Sequence, residues 1–286
     1  MLESKKLVFV GPPGTGKTTI KKVLFEKANP ANLLENPLKP SRGVCSEIYT
    51  LFQSNLGVFD LAGQENTIWL SNRSKDIFNE SNIIICIFDV KTTLESIINF
   101  LIKIYEIKKN LNLKSCKIVT FIHKIDLVSL AYIERKIEVI KSFIIKQHPR
   151  GREFEIYKTS IKESFFYNIF HILSSLLFSM YPKKLLSLKK SDLNYLVNEI
   201  NIISNMRYLS NYSIQEFFNL FDFGLKEIKN YLKNLEIMNF ITIHGDFKII
   251  SLTERGNYFK QGLLNSSSNE KSFETFRLLI FLYENN

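Results

Sequence analysis

Gly11-Pro12-Pro13-Gly14-Thr15-Gly16-Lys17-Thr18 has the spacing G-x-x-x-x-G-K-[ST]. That spacing folds backbone N–H groups around a polyphosphate. The N–H groups of Gly14, Gly16 and Lys17 can face phosphate oxygens, and Lys17 can reach the outer phosphates. The Thr18 hydroxyl can hold Mg²⁺. The candidate phosphate-binding set is Gly11, Pro13, Gly14, Thr15, Gly16, Lys17, Thr18 and Thr19. Such a loop needs a strand before it and a helix after it. Leu7–Val10 reads as the strand, and Lys17–Ala28 reads as the helix.

This loop does not by itself separate ATP from GTP, and its wording resembles that of AAA+ ATPases. Three later stretches decide between them. Asp60-Leu61-Ala62-Gly63-Gln64-Glu65 ends one strand-like run, His123-Lys124-Ile125-Asp126 a second, and Thr159-Ser160-Ile161 a third. A carboxylate at Asp126 can accept two hydrogen bonds from guanine, from N1–H and the exocyclic amino group. Adenine offers no such pair, so a buried Asp126 would discriminate strongly against ATP. The Lys124 stem can cover one face of the base, and Ser160 and Ile161 can meet the guanine carbonyl. An AAA+ ATPase should also carry adjacent acids at a strand end. The candidate strand Ile83–Asp89 ends Phe88-Asp89-Val90-Lys91, with no Glu after the Asp.

In order and spacing these motifs resemble those of small GTPases of the Ras superfamily, over Met1 to about Tyr181. His123, where most relatives have Asn, resembles the Rag/Gtr branch, with Arf and MglA-type proteins as further relatives. Pro40-Ser41-Arg42-Gly43-Val44 looks like switch I of Rag and Arf proteins, with Ser41 in place of Thr. Ser41 precedes Asp60 by 19 residues, which suits an intervening hairpin. The resemblance implies GTP and GDP as ligands, with Thr18, Ser41 and Asp60 supporting Mg²⁺. It implies that Gly63 brings its N–H to the γ-phosphate and that Gln64 orients the attacking water, with Lys17 as the second catalytic residue. His123, Lys124, Asp126, Ser160 and Ile161 would hold the base. Pro13 departs from the glycine common in relatives, and a ring there predicts slow hydrolysis without a partner. Arg42 and Arg73 flank the switches as candidate in-cis arginines. The implied partners are protein regulators and effectors, with pairing of two GTPases as a further option.

The elements that must position these residues alternate. Strands are expected at Leu7–Val10, Glu47–Phe52, Gly57–Asp60, Ile83–Asp89, Lys117–His123 and Phe154–Thr159. Helices are expected at Lys17–Ala28, Thr67–Asn79, Leu94–Asn110, Leu130–Gln147 and Glu163–Met180. The fold class is therefore α/β: a mostly parallel six-stranded sheet with helices on both faces, plus a small α+β domain. The ligand loops then fall at the carboxyl ends of parallel strands.

The 286 residues suit two domains. The expected division is a G domain over 1–181, a linker over 182–191, a second domain over 192–264, and a linker with an amphipathic helix over 265–286. Rag and Gtr proteins carry a roadblock domain in second place, and no such pattern follows here. Leu193, Leu196, Val197, Ile200 and Ile203 have helical spacing. Ser213-Ile214-Gln215-Glu216 is a capping box for a second helix. Leu225, Ile228, Leu232, Leu235 and Met238 mark a third, and Ile241–His244 with Phe247–Leu252 reads as a hairpin. This order resembles a winged-helix domain, and Leu252-Thr253-Glu254-Arg255-Gly256 is a phrase typical of such domains.

Charge bears on what that domain binds. Through Met180 there are 25 Lys plus Arg against 17 Asp plus Glu, a net +8; the remainder has 13 against 11, a net +2. DNA affinity rests mainly on phosphate neutralisation. The expected outward face of the third helix carries Lys226, Glu227, Lys229, Asn230, Lys233, Asn234 and Glu236, with no arginine. Protein docking is therefore favoured over a nucleotide-responsive DNA-binding role, which stays as the alternative. An ATP-driven remodeller is a third reading.

Cys45, Cys86 and Cys116 show no metal spacing, which fits a reducing, cytoplasmic compartment. No apolar run reaches membrane-spanning length. Met1-Leu2 lacks the glycine for myristoylation, and the last four residues are no prenylation box. At most, peripheral contact with an anionic membrane surface is expected.

Overall fold

Ile83-Ile84-Ile85-Cys86-Ile87-Phe88 has no polar alternation, so a strand made of it must be covered on both faces. In the computed structural model these residues are buried in one strand of a six-stranded sheet. The structure describes residues 4–26, 28, 30–51, 54–71, 75–147, 155–180, 190–221, 223–237 and 239–265. By contacts the chain divides into two compact units, Met1–Ile161 and Lys162–Asn286.

The first unit holds β1 (Ser4–Val10), β2 (Val44–Leu51), β3 (Ser54–Leu61), β4 (Ile83–Asp89), β5 (Lys117–His123) and β6 (Glu155–Thr159). Their order in the sheet is β2-β3-β1-β4-β5-β6. All neighbours run parallel except β2 and β3, which form the expected antiparallel hairpin. The helices are α1 (Lys17–Phe25), α2 (Pro30–Glu35), α3 (Asn66–Trp69), α4 (Leu94–Asn110) and α5 (Leu130–Gln147). The two long helices, α4 and α5, each bury an apolar stripe. In α4, Ile97, Leu101 and Ile104 are buried at helical spacing. The Thr93 hydroxyl caps its start by accepting from Ser96 N (3.3 Å), and Lys108 and Lys109 stand in its last turn.

Two expectations fail here. The long helix expected at Thr67–Asn79 is only the single turn of α3, preceded by a 3₁₀ turn at Gly63–Glu65 and followed by another at Lys75–Phe78. Both the backbone N–H (3.0 Å) and the hydroxyl (2.7 Å) of Ser71 donate to Ile68 O, closing the turn on itself. A serine that bonds its own backbone competes with helix continuation. Conversely, α2 was not expected. Its signal is Pro30 at the first helical position, where the missing N–H costs nothing.

The second unit holds α6 (Phe166–Met180), α7 (Lys190–Asn205), β7 (Asn211–Tyr212), α8 (Ile214–Leu220), α9 (Leu225–Ile237), β8 (Ile241–His244), β9 (Ile249–Leu252) and α10 (Glu254–Asn265). The expected first domain ran to residue 181. The division instead falls at Ile161, because α6 packs against α10. The capping box is present: Glu216 N donates to Ser213 Oγ (3.4 Å), and Ser213 N donates to Glu216 Oε2 (2.6 Å). The hairpin β8–β9 is extended by β7, a two-residue strand too short to show in the sequence, giving the order β7-β9-β8.

The phrase Thr253-Glu254-Arg255-Gly256 has a structural reason. Thr253 Oγ1 donates to Asn239 O (2.8 Å) and accepts from Gly256 N (2.9 Å). A Cβ on Gly256 would stand 2.0 Å from Phe240 O, so only glycine lets α10 start there. The expected outward face of α9 is partly occupied. Asn234 Nδ2 donates to Glu199 Oε1 (2.9 Å), Glu236 Oε1 accepts from Ile243 N (3.1 Å), and the Lys229 ammonium lies over the Phe247 ring (5.1 Å). Arg73, the linker up to residue 189 and the C-terminal helix beyond Asn265 lie outside the described residues.

Candidate functional site

The glycine-rich loop joins β1 to α1 and runs close to the end of β4. A Cβ on Gly11 would stand 2.1 Å from Ile87 O, so the chain can pass β4 here only as glycine. The Thr15 hydroxyl donates to Pro12 O (3.0 Å) and holds the loop's curve. Lys17 is 5% exposed, and its ammonium donates to Gly11 O and Pro12 O, both at 2.8 Å. Burial lowers its pKa to about 8, against the opposing pull of Asp60.

Three oxygens converge beside it. Thr18 Oγ1 donates to Asp60 Oδ2 (2.5 Å) and lies 2.9 Å from Ser41 Oγ. Asp60 is fully buried, and its other oxygen, Oδ1, has no hydrogen-bond partner. Burial holds the Asp60 carboxyl above its ordinary pKa, while Thr18 and Lys17 pull the other way. Two hydroxyls and a buried carboxylate with an unpartnered oxygen are hard donors that fit Mg²⁺. Among the described residues no three of His, Cys, Asp and Glu cluster as an alternative metal site.

The segment after β3 folds over the loop. A Cβ on Gly63 would stand 2.4 Å from Pro13 N and 2.5 Å from Pro12 C. Gln64 is exposed and lines the cavity described below. Asn66 Nδ2 donates to Gly11 O (3.0 Å), and Trp69 Nε1 donates to Ala62 O (2.9 Å). Gly43 N donates to Glu65 Oε1 (2.9 Å), which ties this segment to the one bearing Ser41.

The third part stands at the ends of β5 and β6. His123 is 1% exposed; its Nδ1 lies 3.0 Å from Thr159 Oγ1, and its ring fills the space a Cβ on Gly16 would need. Burial lowers its pKa to about 4, with Lys124 adding to the effect, so the ring is neutral at neutral pH. Lys124 adopts a left-handed backbone (φ 61°), and its ammonium reaches both Gly14 O (2.7 Å) and Asp89 Oδ2 (2.8 Å). The Ser160 hydroxyl donates to Asp126 Oδ1 (2.6 Å). The burial under which Asp126 would discriminate most strongly against ATP is not seen. Asp126 is exposed, because it sits on a one-turn 3₁₀ helix (Ile125–Leu127) at the rim.

One cavity of about 360 Å³ joins these parts. Pro13, Gly14, Thr15, Gly16, Lys17, Thr18 and Thr19 line it along the loop. Ser41, Gly63 and Gln64 line one side, and Lys124, Asp126, Ser160 and Ile161 line the other end. Of the expected set only Gly11, Asp60 and His123 do not line it. The first two bond lining residues, Lys17 and Thr18, and His123 packs on Gly16. Sequence reasoning missed Leu33 and Leu34 of α2, which also line the cavity, and it missed Asn66 and the role of Asp89. The last two act through backbone carbonyls and a lysine already in use, so no motif announces them. Arg42 is exposed beside Ser41. No described helix is long and apolar enough to cross a membrane.

No curated protein matches the chain. A family model of the Gtr1/RagA G protein conserved region matches residues 6–214, well over half of its length. That span takes in the loop at Gly11, the Asp60 and Asp126 segments, and every residue lining the cavity. The chain therefore belongs to the Gtr1/RagA family of G proteins.

Proposed function

We propose that this GTP-binding protein is a Mg²⁺-dependent switch that hydrolyses GTP to GDP and phosphate. The observation that carries the reading is the single cavity with a phosphate cradle at one end and Asp126 with Ser160 at the other. A triphosphate in the cradle meets the N–H groups of Gly14, Gly16 and Lys17 and the positive end of α1. The Lys17 ammonium then exchanges a carbonyl for phosphate oxygens, which restores its full charge. Asp126 accepts from the two guanine donors, with Ser160 orienting its carboxylate and Lys124 covering the ring. Thr18, Ser41 and Asp60 would hold Mg²⁺, which would offset the negative charge of the phosphates. The N–H of Gly63 meets the γ-phosphate, and Gln64 orients the water that attacks it. Pro13 lies against Gly63 and crowds that approach, so hydrolysis is slow until a protein partner rearranges it.

The second unit docks proteins in this reading, in the manner of a winged helix. Phe218, Leu220 and Leu225 are exposed on α8 and the start of α9, which suits an apolar partner better than phosphate. Several polar groups of α9 are already bonded within the unit, which weighs against DNA.

Nucleotide competition with Mg²⁺ present tests the reading. GTP should displace a fluorescent guanine nucleotide far better than ATP. Asp126→Asn should weaken GTP about a hundredfold and shift preference to xanthosine triphosphate, whose C2 carbonyl replaces the guanine donor. Equal affinity for GTP and ATP would remove the proposal. Retention of a DNA duplex in a gel shift that weakens steeply with salt would favour the DNA-binding alternative.

A further inference from the structure

Asn66 opens α3 two residues after Gln64, and sequence motifs give it no task. Its Nδ2 donates to Gly11 O (3.0 Å), and the same carbonyl accepts from the Lys17 ammonium (2.8 Å). Its Oδ1 is buried without a partner. The side chain is half-buried, and the bond that its amide nitrogen makes is the one to Gly11 O. That bond has a consequence for its neighbours. Gln64 is exposed and makes no bond of its own that would fix it among those described, yet its neighbours are pinned. Gly63 is pressed on the Pro12–Pro13 backbone, Glu65 accepts from Gly43 N, and Asn66 grips Gly11.

We propose that Asn66 is a positioning residue for hydrolysis, holding Gln64 over the phosphate cradle by tying α3 to the first residue of the loop. The inference rests on the hydrolytic reading above. Because Asn66 and Lys17 share one acceptor, the segment bearing Gln64 is referenced to the carbonyl that also locates the phosphate-binding ammonium. Water attack needs Gln64 within a few tenths of an ångström of its working place, and a tether to the cradle sets that distance. Gln64 faces only the γ-phosphate in that reading, so the tether acts on the triphosphate state.

The test uses the full chain. Single-turnover hydrolysis is measured at saturating GTP with Mg²⁺, along with release of fluorescent GDP and of a non-hydrolysable GTP analogue, and thermal unfolding. Asn66→Leu removes the donor at similar volume. It should slow hydrolysis about tenfold and speed analogue release severalfold, with GDP release and melting temperature little changed. Asn66→Gln keeps the donor and should recover most of the rate. If Asn66→Leu does not fold, Asn66→Asp, which also lacks the donor, is read the same way. An unchanged rate and unchanged analogue release would overturn the inference. So would equal acceleration of GDP and analogue release, which marks a packing residue. A wild-type chain that binds GTP and never hydrolyses it would instead overturn the hydrolytic reading, with the analogue-to-GDP release ratio still judging the tether.

Discussion

Lys17 is a buried cation whose only described acceptors are two backbone carbonyls. Its pKa of about 8 means that burial disfavours the charged form. A folded pKa below the ordinary lysine value gives stability that is present at high pH and lost as pH falls through about 8. Triphosphate oxygens reverse this by demanding the ammonium. GTP binding should therefore take up a proton at pH 9 and none at pH 6.5. Affinity should fall by at most about tenfold per pH unit above 8. Calorimetry in buffers of different ionisation enthalpy reads the uptake directly, and Lys17→Met should abolish it. Heats independent of buffer at pH 9 would refute the assignment. That Lys17, Thr18, Asp60, Asp126 and Ser160 gather around one cleft was legible from the spacing of their motifs. Asn66 and Asp89 were not legible, because the groups they hold are a carbonyl and a lysine head that only the fold brings near.

At the scale of elements, one buried lysine ties α1 to β2. Lys21 is 2% exposed, and its ammonium lies 2.6 Å from Glu47 Oε1 on β2, 3.2 Å from Glu26 Oε1 and 3.3 Å from Cys45 Sγ. These partners together raise its pKa despite burial, and its bond lowers that of Glu47. A raised lysine pKa gives stability present throughout the neutral range and lost only at strongly alkaline pH. A lowered glutamate pKa gives stability present above about 4.5 and lost as pH falls further. Lys21→Met should therefore destabilise the fold by about 2 kcal/mol at pH 7, less than a fully buried pair because Glu47 is 41% exposed. Urea unfolding at pH 7 and pH 3.5 checks this: the difference between the two proteins should shrink at the lower pH. β4, α4, β5 and α5 have the bounds read from sequence, because long apolar periodicity and terminal caps act locally. The stretch after Gly63 does not, because Ser71 and Trp69 spend their hydrogen bonds on the backbone of their own loop.

Across the whole molecule, every residue lining the cavity lies in the first unit. Nucleotide binding should thus survive loss of the second. A fragment ending at Met180 should bind GTP within about threefold of the full chain. It would also remove α10, one of the elements packed on α6, a largely apolar helix whose Ile169, Leu173, Leu176 and Leu177 are buried. We expect that fragment to self-associate, which light scattering would show; a monodisperse fragment would mean that α6 finds other cover. The alternation of strand and helix was legible for the first unit. The boundary was not, since nothing in the sequence of α6 says which side of the chain will cover it.

In the proposed reading Lys124 would join the purine pocket to the loop that cups the phosphates, because one ammonium grips Gly14 O and Asp89 together. The nucleoside and its charged tail would consequently not be welcomed by independent halves of the cleft. Whatever loosened the grip on the ring would then also slacken the collar around the tail, and release would proceed as one concerted letting-go.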